Sequence, residues 1–229
     1  MKTYELVLQQ VETDLAAGRL RLGERLPGER GLAEQLGVSR ASVREAIRVL
    51  EAMGVVRTSV GSGPDAGAVI VADPSSALSS ALRLHLATSH LPISDIVQTR
   101  VLLESWAARE AARRSGAGDL AAAELLLDEM DDPGLTPERF HLLDAEFHVT
   151  LTALAGNVLI AAVMSALRES IHGYVMAAVP QLADWESTAR RLRSEHRAVV
   201  AAVRAGDGGA AATIVSAHIA GFYRETHLG

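Results

Sequence analysis

Two short amphipathic stretches meet at Gly37-Val38-Ser39, and this stop-and-restart limits the fold more than any other feature of the chain. Pro27-Gly28 opens the first stretch, 29–36, in which Leu32, Ala33 and Leu36 fall at helical spacing. A glycine at 37 suits a left-handed helix end, and Ser39 suits the cap of a new helix. The next helix, about 40–53, carries Val43, Ala46, Ile47 and Leu50 at i, i+3, i+4 and i+7. Arg40, Arg44 and Arg48 recur every four residues on a different face. Ala33 is small enough to let the two helices cross closely. A helix over 4–17, built on Tyr4, Leu8, Val11 and Leu15, precedes the pair, and Gly18 stops it. β-Prone runs at Val55–Val60 and Ala68–Val71 follow, with the turn formers of 61–67 between them. The order predicts a winged helix-turn-helix over residues 1–72, with a small β-hairpin as its wing.

The rest of the chain has another character. Asp73-Pro74-Ser75-Ser76 reads as a linker, 73–76. Residues 77–229 then give helices near 77–88, 93–114, 118–131, 137–155, 158–178, 185–205 and 208–227. Breaks fall at Pro92, Gly116, Pro133-Gly134, Gly156-Asn157, Pro180 and Gly206–Gly209. Seven helices without strands make an all-α bundle, so the fold class is mainly α. Aromatic residues are only 3% of the chain, which calls for an aliphatic, Ala-rich core of closely packed helices.

Charge separates the two parts. Residues 1–72 hold nine basic and nine acidic side chains, so the net charge of −6 resides entirely in the second part. A local basic face, and not the overall charge, decides nucleic-acid binding, and only the first part can supply one. There are no cysteines, which excludes disulfides, thiol nucleophiles and thiolate metal sites. No run of about 18 apolar residues is present to span a membrane. The N-terminal segment, carrying Glu12, Asp14 and Arg19, lacks the apolar stretch of a signal peptide, so a cytoplasmic protein is expected.

The three arginines of the third helix could reach guanine edges or phosphates in a major groove about 12 Å wide. A row of arginines at this spacing is also what a solvated helix face shows. The preceding helix, glycine turn, serine cap and following hairpin favour the DNA reading. In the bundle, Asp144 and His148 are four apart and share a helix face, about 40° apart, so together they can grip a divalent metal. His196 lies among Leu192, Val199, Val200 and Val203, and His218 among Ile214, Val215 and Phe222. Imidazoles buried beside a carboxylate are costly unless hydrogen-bonded or metallated. His141 shares the Asp144 face, so spacing alone does not choose the ligands.

Two runs resemble a known family. Gly23-Glu24-Arg25-Leu26-Pro27-Gly28-Glu29-Arg30 through Ser39-Arg40-Ala41-Ser42-Val43-Arg44-Glu45-Ala46-Ile47-Arg48 resembles the GntR family of bacterial transcription factors. The resemblance implies DNA contacts from Arg30, Arg40 and Arg44, and a wing-tip glycine, taken here as Gly63, in the minor groove. Ser42 and Arg48 complete the expected DNA-binding set. The wing loop is longer than usual, and Gly31 replaces a usual charged residue. Asp144-Ala145-Glu146-Phe147-His148, Ala155-Gly156-Asn157 and Ser194-Glu195-His196-Arg197-Ala198-Val199 look like the effector domain of the FadR subgroup, of FCD type. That resemblance implies a metal held by Asp144, His148, His196 and His218, leaving His141 outside. It also implies an effector carboxylate on Arg100, with Asn157 near it. Arg100 is alternatively a surface arginine paired with Glu104.

The expected protein is therefore a transcriptional regulator and not an enzyme. It would bind a pseudo-palindromic double-stranded DNA operator as a homodimer and respond to a small carboxylate effector, with repression relieved by the ligand. Zinc is the ion expected first, with nickel and manganese as alternatives. Two other readings stand beside it: a metal-dependent hydrolase carrying a DNA-binding head, with Glu146 or Glu195 near the site, and a regulator whose metal is only structural.

Overall fold

The computed structural model describes residues 2–59, 67–88, 91–114, 117–132 and 134–226. The chain divides into two compact units, Met1–Leu78 and Ser79–Gly229. The first holds helices α1 (Thr3–Ala16), α2 (Glu29–Leu36) and α3 (Arg40–Ala52) and strands β1 (Val56–Ser59) and β2 (Gly67–Ile70). Gly37 closes α2 at φ 64° and ψ 31°, where a residue without Cβ is least strained. Ser39 caps α3 by accepting a hydrogen bond from the Ser42 N–H at 3.1 Å. Val43, Ala46 and Leu50 are buried, with Ile47 packed beside them. The predicted α1 face is rotated slightly: Val7 and Val11 are buried, while Tyr4, Leu8 and Leu15 flank them.

The wing gains a partner the sequence did not suggest. β1 and β2 pair antiparallel with Val56 opposite Ile70 and Ser59 opposite Gly67. On the other edge of β2, the Leu26 N–H donates to Ala68 O and the Ile70 N–H to Glu24 O, both at 2.8 Å. The segment before α2 thereby covers a strand edge that a simple hairpin would leave open. Its few residues carry no alternating pattern, so only the pairing reveals it. Gly63 lies outside the described residues.

The second unit is all helical. It comprises α4 (Pro74–Ala87), which begins in the first unit, then α5 (Ile93–Arg114), α6 (Ala121–Met130), α7 (Pro137–Ala153), α8 (Val158–Ala178), α9 (Trp185–Arg204) and α10 (Gly208–Glu225). Short 3-10 turns, Ala117–Leu120 and Val179–Gln181, precede α6 and follow α8. α4 starts earlier than predicted: residues 74–76, read as linker, form its first turn. Proline is favoured in a first turn, and Asp73 Oδ1 accepts from the Ser75 hydroxyl at 2.7 Å. α5 and α10 pack along one another, buried through Ala107, Ala108, Ala111 and Ala112 on one side and Ala211, Ala212 and Val215 on the other. These small residues let the helix axes approach, as the composition predicted.

α8 and its following turn are long and apolar enough to cross a membrane by length and composition, with a mean hydropathy of 1.2. Arg168 and Glu169 interrupt it, however, and Met164, Leu167, Ile171 and Val175 belong to the bundle core. The few aromatic residues are not spread evenly. Phe140, Phe147, Trp185, Phe222 and Tyr223 gather around one end of the bundle, where the candidate site lies.

Gly54 ends α3 at φ 68°, and a Cβ there would stand 2.0 Å from the backbone oxygen of Asp73. Gly54→Ala is expected to destabilise the first unit by at least about 1–3 kcal/mol, because it adds a steric collision to the left-handed penalty. Gly37→Ala meets nothing within 4 Å and should cost only about 1–2 kcal/mol. Hydrogen exchange of peptides from residues 3–59 in the full-length variants would rank the two. Equal protection in both would show that the Asp73 contact yields without cost.

Candidate functional site

On the first unit, Arg40, Arg44 and Arg48 are exposed along α3 and Arg30 is exposed on α2. A residue missed by the sequence reading organises them. Glu29, at the start of α2, accepts a two-point fork from Arg44: Nε to Oε1 at 3.0 Å and Nη2 to Oε2 at 2.8 Å. Arg40 Nη2 stands 3.9 Å from the same carboxylate. The Arg44 hydrogen bonds hold the Glu29 carboxyl below its ordinary pKa. Arg30 makes only a loose contact with Glu34, at 3.8 Å. Ser42 is half-buried and belongs to the cap, its hydroxyl 3.0 Å from that of Ser39.

In the second unit, three helices bring four side chains together. α7 supplies Asp144 and His148, α9 supplies His196 and α10 supplies His218, all buried, and their ligand atoms lie within 4.8 Å of one another. His148 Nε2 and His196 Nε2 are each 3.1 Å from His218 Nε2. Asp144 Oδ1 is 3.0 Å from His196 Nε2 and 3.6 Å from His148 Nε2. Donors about 2.0–2.2 Å from one ion would be separated by roughly these distances.

The outer nitrogens decide which atoms face inward. His148 Nδ1 bonds Glu104 Oε2 on α5, and His218 Nδ1 bonds Glu195 Oε2 on α9 at 2.7 Å. Burial opposes ionisation of Glu104, but His148 and Arg100 outweigh it and hold the carboxyl well below the usual range. Glu195 is likewise drawn down, to about 2, against its burial, chiefly by His218 and Arg191. A carboxylate only accepts, so each Nδ1 donates outward and each Nε2 is turned inward. The inward Nε2 atoms of His148 and His218 lie 3.1 Å apart, a spacing suited to a shared cation. Burial, with His218 close by, lowers His196 to about 4, and burial lowers His218 too, so neutral imidazoles are favoured. The donor set therefore fits a divalent metal.

Asp144 faces two ways. Oδ1 joins the histidines, while Oδ2 accepts from Arg168 Nη2 on α8. Burial works against the Asp144 carboxylate, yet Arg168, His148 and His196 hold its pKa well below the ordinary value. Arg100 is buried and not at the surface: Nε donates to Glu104 Oε1 at 2.9 Å and Nη1 to the Tyr223 hydroxyl at 2.6 Å. Arg100, Asp144, Arg168 and His218 line one cavity with Phe140, Trp185, Phe222 and Tyr223. The cavity measures only about 20 Å³, so a ligand larger than water must displace side chains.

One expectation changes. Asn157 is exposed at the start of α8, where Oδ1 accepts from the Ile160 N–H at 3.1 Å, and it does not line the cavity. Asparagine is a strong helix cap, and its only acceptor oxygen is engaged in that role. His141 remains outside the cluster as expected, its Nδ1 3.9 Å from Asp144 Oδ2 and its ring stacked on His172. Burial lowers His141 to about 4. Arg168, missed earlier, did have a signal: it falls on the Met164, Ile171, Val175 face of an otherwise apolar helix. Glu104→Gln is expected to weaken divalent-metal affinity about 10–100-fold, since it removes the acceptor that orients His148. Competition against a chelator measures this, and unchanged affinity would reduce Glu104 to a counter-charge for Arg100.

Residues 3–64 match bacterial regulatory proteins, gntR family, and residues 95–221 match the FCD domain. The HTH-type transcriptional regulator LutR of Bacillus subtilis (strain 168) is 30% identical over 210 residues, covering 88% of this chain and 91% of that protein. The Uxu operon regulator of Haemophilus influenzae is 30% identical over 159 residues, or 68% of this chain. That match spans 56% of the relative, little more than half its length. The solved structure of Streptococcus agalactiae GntR has a TM-score of 0.68 at 25% identity, over 96% of this chain and 98% of that one. These relatives are transcriptional regulators and not enzymes. The chain belongs to the GntR family of DNA-binding transcriptional regulators, in the FadR-like subgroup that joins a helix-turn-helix domain to an FCD domain.

Proposed function

We propose that this regulator binds a pseudo-palindromic operator as a cytoplasmic homodimer and is released from it by a small carboxylate, which makes it a repressor. The carboxylate binds beside a divalent metal held by Asp144, His148, His196 and His218, with zinc proposed and nickel and manganese as alternatives. The observation that carries this reading is the buried convergence of three Nε2 atoms and Asp144 Oδ1 next to a cavity lined by Arg100. A divalent ion there would offer Lewis-acid coordination to a ligand oxygen. Glu104 and Glu195 fix the ring orientations of His148 and His218. Arg100 donates to the ligand carboxylate, and Phe140, Trp185 and Phe222 exclude water around it. On the other unit, Arg30, Arg40, Arg44 and Arg48 contact the operator, with Ser42 holding the start of α3 and Gly63 in the wing. Ligand binding alters operator affinity, and the operator alters ligand affinity by the same factor. The hydrolase alternative also lacks a free base: Glu146 is exposed and Glu195 is engaged by His218 and Arg191.

Arg40→Ala and Arg44→Ala should each weaken operator binding by about 1–3 kcal/mol if they read bases. Gel-shift titration at fixed salt on operator and scrambled DNA decides. Equal losses on both DNAs would make them phosphate contacts, and no loss on either would remove α3 from the reading role.

The effector reading is tested by a thermal-shift screen of small carboxylates on metal-loaded protein, where a ligand at 100 times its Kd adds about 2.7 kcal/mol. Arg100→Ala should weaken the best ligand at least about tenfold, the loss of a charged hydrogen bond. The same change leaves Glu104 buried without its counter-charge and should cost the bundle about 3–5 kcal/mol. Full ligand affinity in the variant, measured by calorimetry with operator release followed in parallel, would place the effector elsewhere.

A further inference from the structure

Among the described residues of the second unit, four charged side chains are buried, and they balance: Arg100 and Arg168 against Glu104 and Asp144. The pairing is direct, Arg100 on Glu104 and Arg168 on Asp144. Glu195 lies at the edge, partly exposed, with its charge met by Arg191 at 2.9 Å. Histidines that ligate an ion do so as neutral imidazoles and add no charge. A divalent ion on Asp144 and the histidines would therefore leave the enclosed site with two positive charges in excess. A buried surplus of that size calls for matching negative charge.

The structure also shows where the second negative charge would sit. Arg168 is 5% exposed, and only Nη2 is used, on Asp144 Oδ2. Its Nε and Nη1 are buried without a hydrogen-bond partner, and the side chain lines the same cavity as Arg100. Unused guanidinium donors in a closed space are costly, and an anionic oxygen is the acceptor that satisfies one best. Asp144 sets the spacing, since one of its oxygens faces the histidines and the other faces Arg168. The cavity that both arginines line holds little free space, which suits a short ligand.

We infer that the effector is a short dianion, a dicarboxylate, with one carboxylate at the metal and Arg100 and the second accepting from a free N–H of Arg168. This deepens the reading proposed above and rests on it. The apolar wall of Phe140, Trp185, Leu192 and Ile219 would take the few carbons between the acid groups.

The test compares L-malate with L-lactate, which share a 2-hydroxy acid head and differ in the second carboxylate. Calorimetry on zinc-loaded wild type, Arg168→Met and Arg168→Lys gives the affinity ratio, with metal content measured in each. Wild type should bind malate at least tenfold more tightly than lactate. In both variants the ratio should fall toward one while lactate binding persists, because neither methionine nor lysine carries the free guanidinium N–H groups. The two variants are read together, so failure of one to fold leaves the ratio measurable in the other. Lactate binding as tightly as malate in wild type would overturn the dianion while leaving the metal-and-Arg100 reading intact. A ratio that survives in the variants would overturn the role of Arg168. Failure of both acids to bind zinc-loaded wild type would overturn the dicarboxylate and count against the small-carboxylate reading as well.

Discussion

Imidazole nitrogens turned toward one another across 3.1 Å are the constraint on which the candidate site depends. Such a contact is held by a positive charge shared between the nitrogens and by the packing of the surrounding helices. Both have visible supports. Glu104 and Glu195 fix the outer nitrogens, so the Nε2 atoms are the ones that face one another. Phe147 packs against both His148 and His196, with ring centroids 5.4 and 4.7 Å away, and keeps their planes from turning. The bundle is built to hold these donors, and the placement of α5, α7, α9 and α10 follows from that requirement.

Arginine does opposite work in the two units. On α3, Arg44 is exposed and lies in a fork on Glu29, a pair in which solvent screens most of the attraction. Such a pair orients the side chain without committing it, and a phosphate or guanine edge can compete for the guanidinium. In the bundle, Arg100 and Arg168 are enclosed, and each is the counter-charge of a carboxylate that touches the histidine cluster. Removing either one leaves an uncompensated buried charge, so the same residue type is replaceable on one surface and structural in the other.

The chain's sparse aromatics make sense beside this site. Along the buried faces of α5 and α10 the helices approach through alanine. Around Arg100 and Arg168 the packing changes to Phe140, Trp185, Phe222 and Tyr223, whose rigid rings leave gaps between them. A close-packed Ala seam along α5 and α10 and an aromatic pocket at one end are two uses of one pair of helices.

Much of this was legible from the sequence, and the parts that were share a physical basis. Gly37 and Ser39 mark the turn because backbone conformation and capping are local properties. Asp144 and His148 share a face because helical period places them there, and the apolar neighbours of His196 and His218 announced burial. Asn157 shows the same rule from the other side: its place before an apolar helix is a local cap signal, and the structure follows that signal and not the role the family resemblance implied. Tertiary structure decided what local rules do not reach. An Arg100–Glu104 spacing of four is the same on a surface and in a core, and only the packing of Tyr223 and His148 against it made the pair a buried support. Which carboxylate orients which imidazole, how Gly23–Leu26 lies beside β2, and why Arg168 keeps two donors free all depend on contacts between residues far apart in the chain. Periodicity fixes directions around one helix axis, and it carries no information about which other helix lies there.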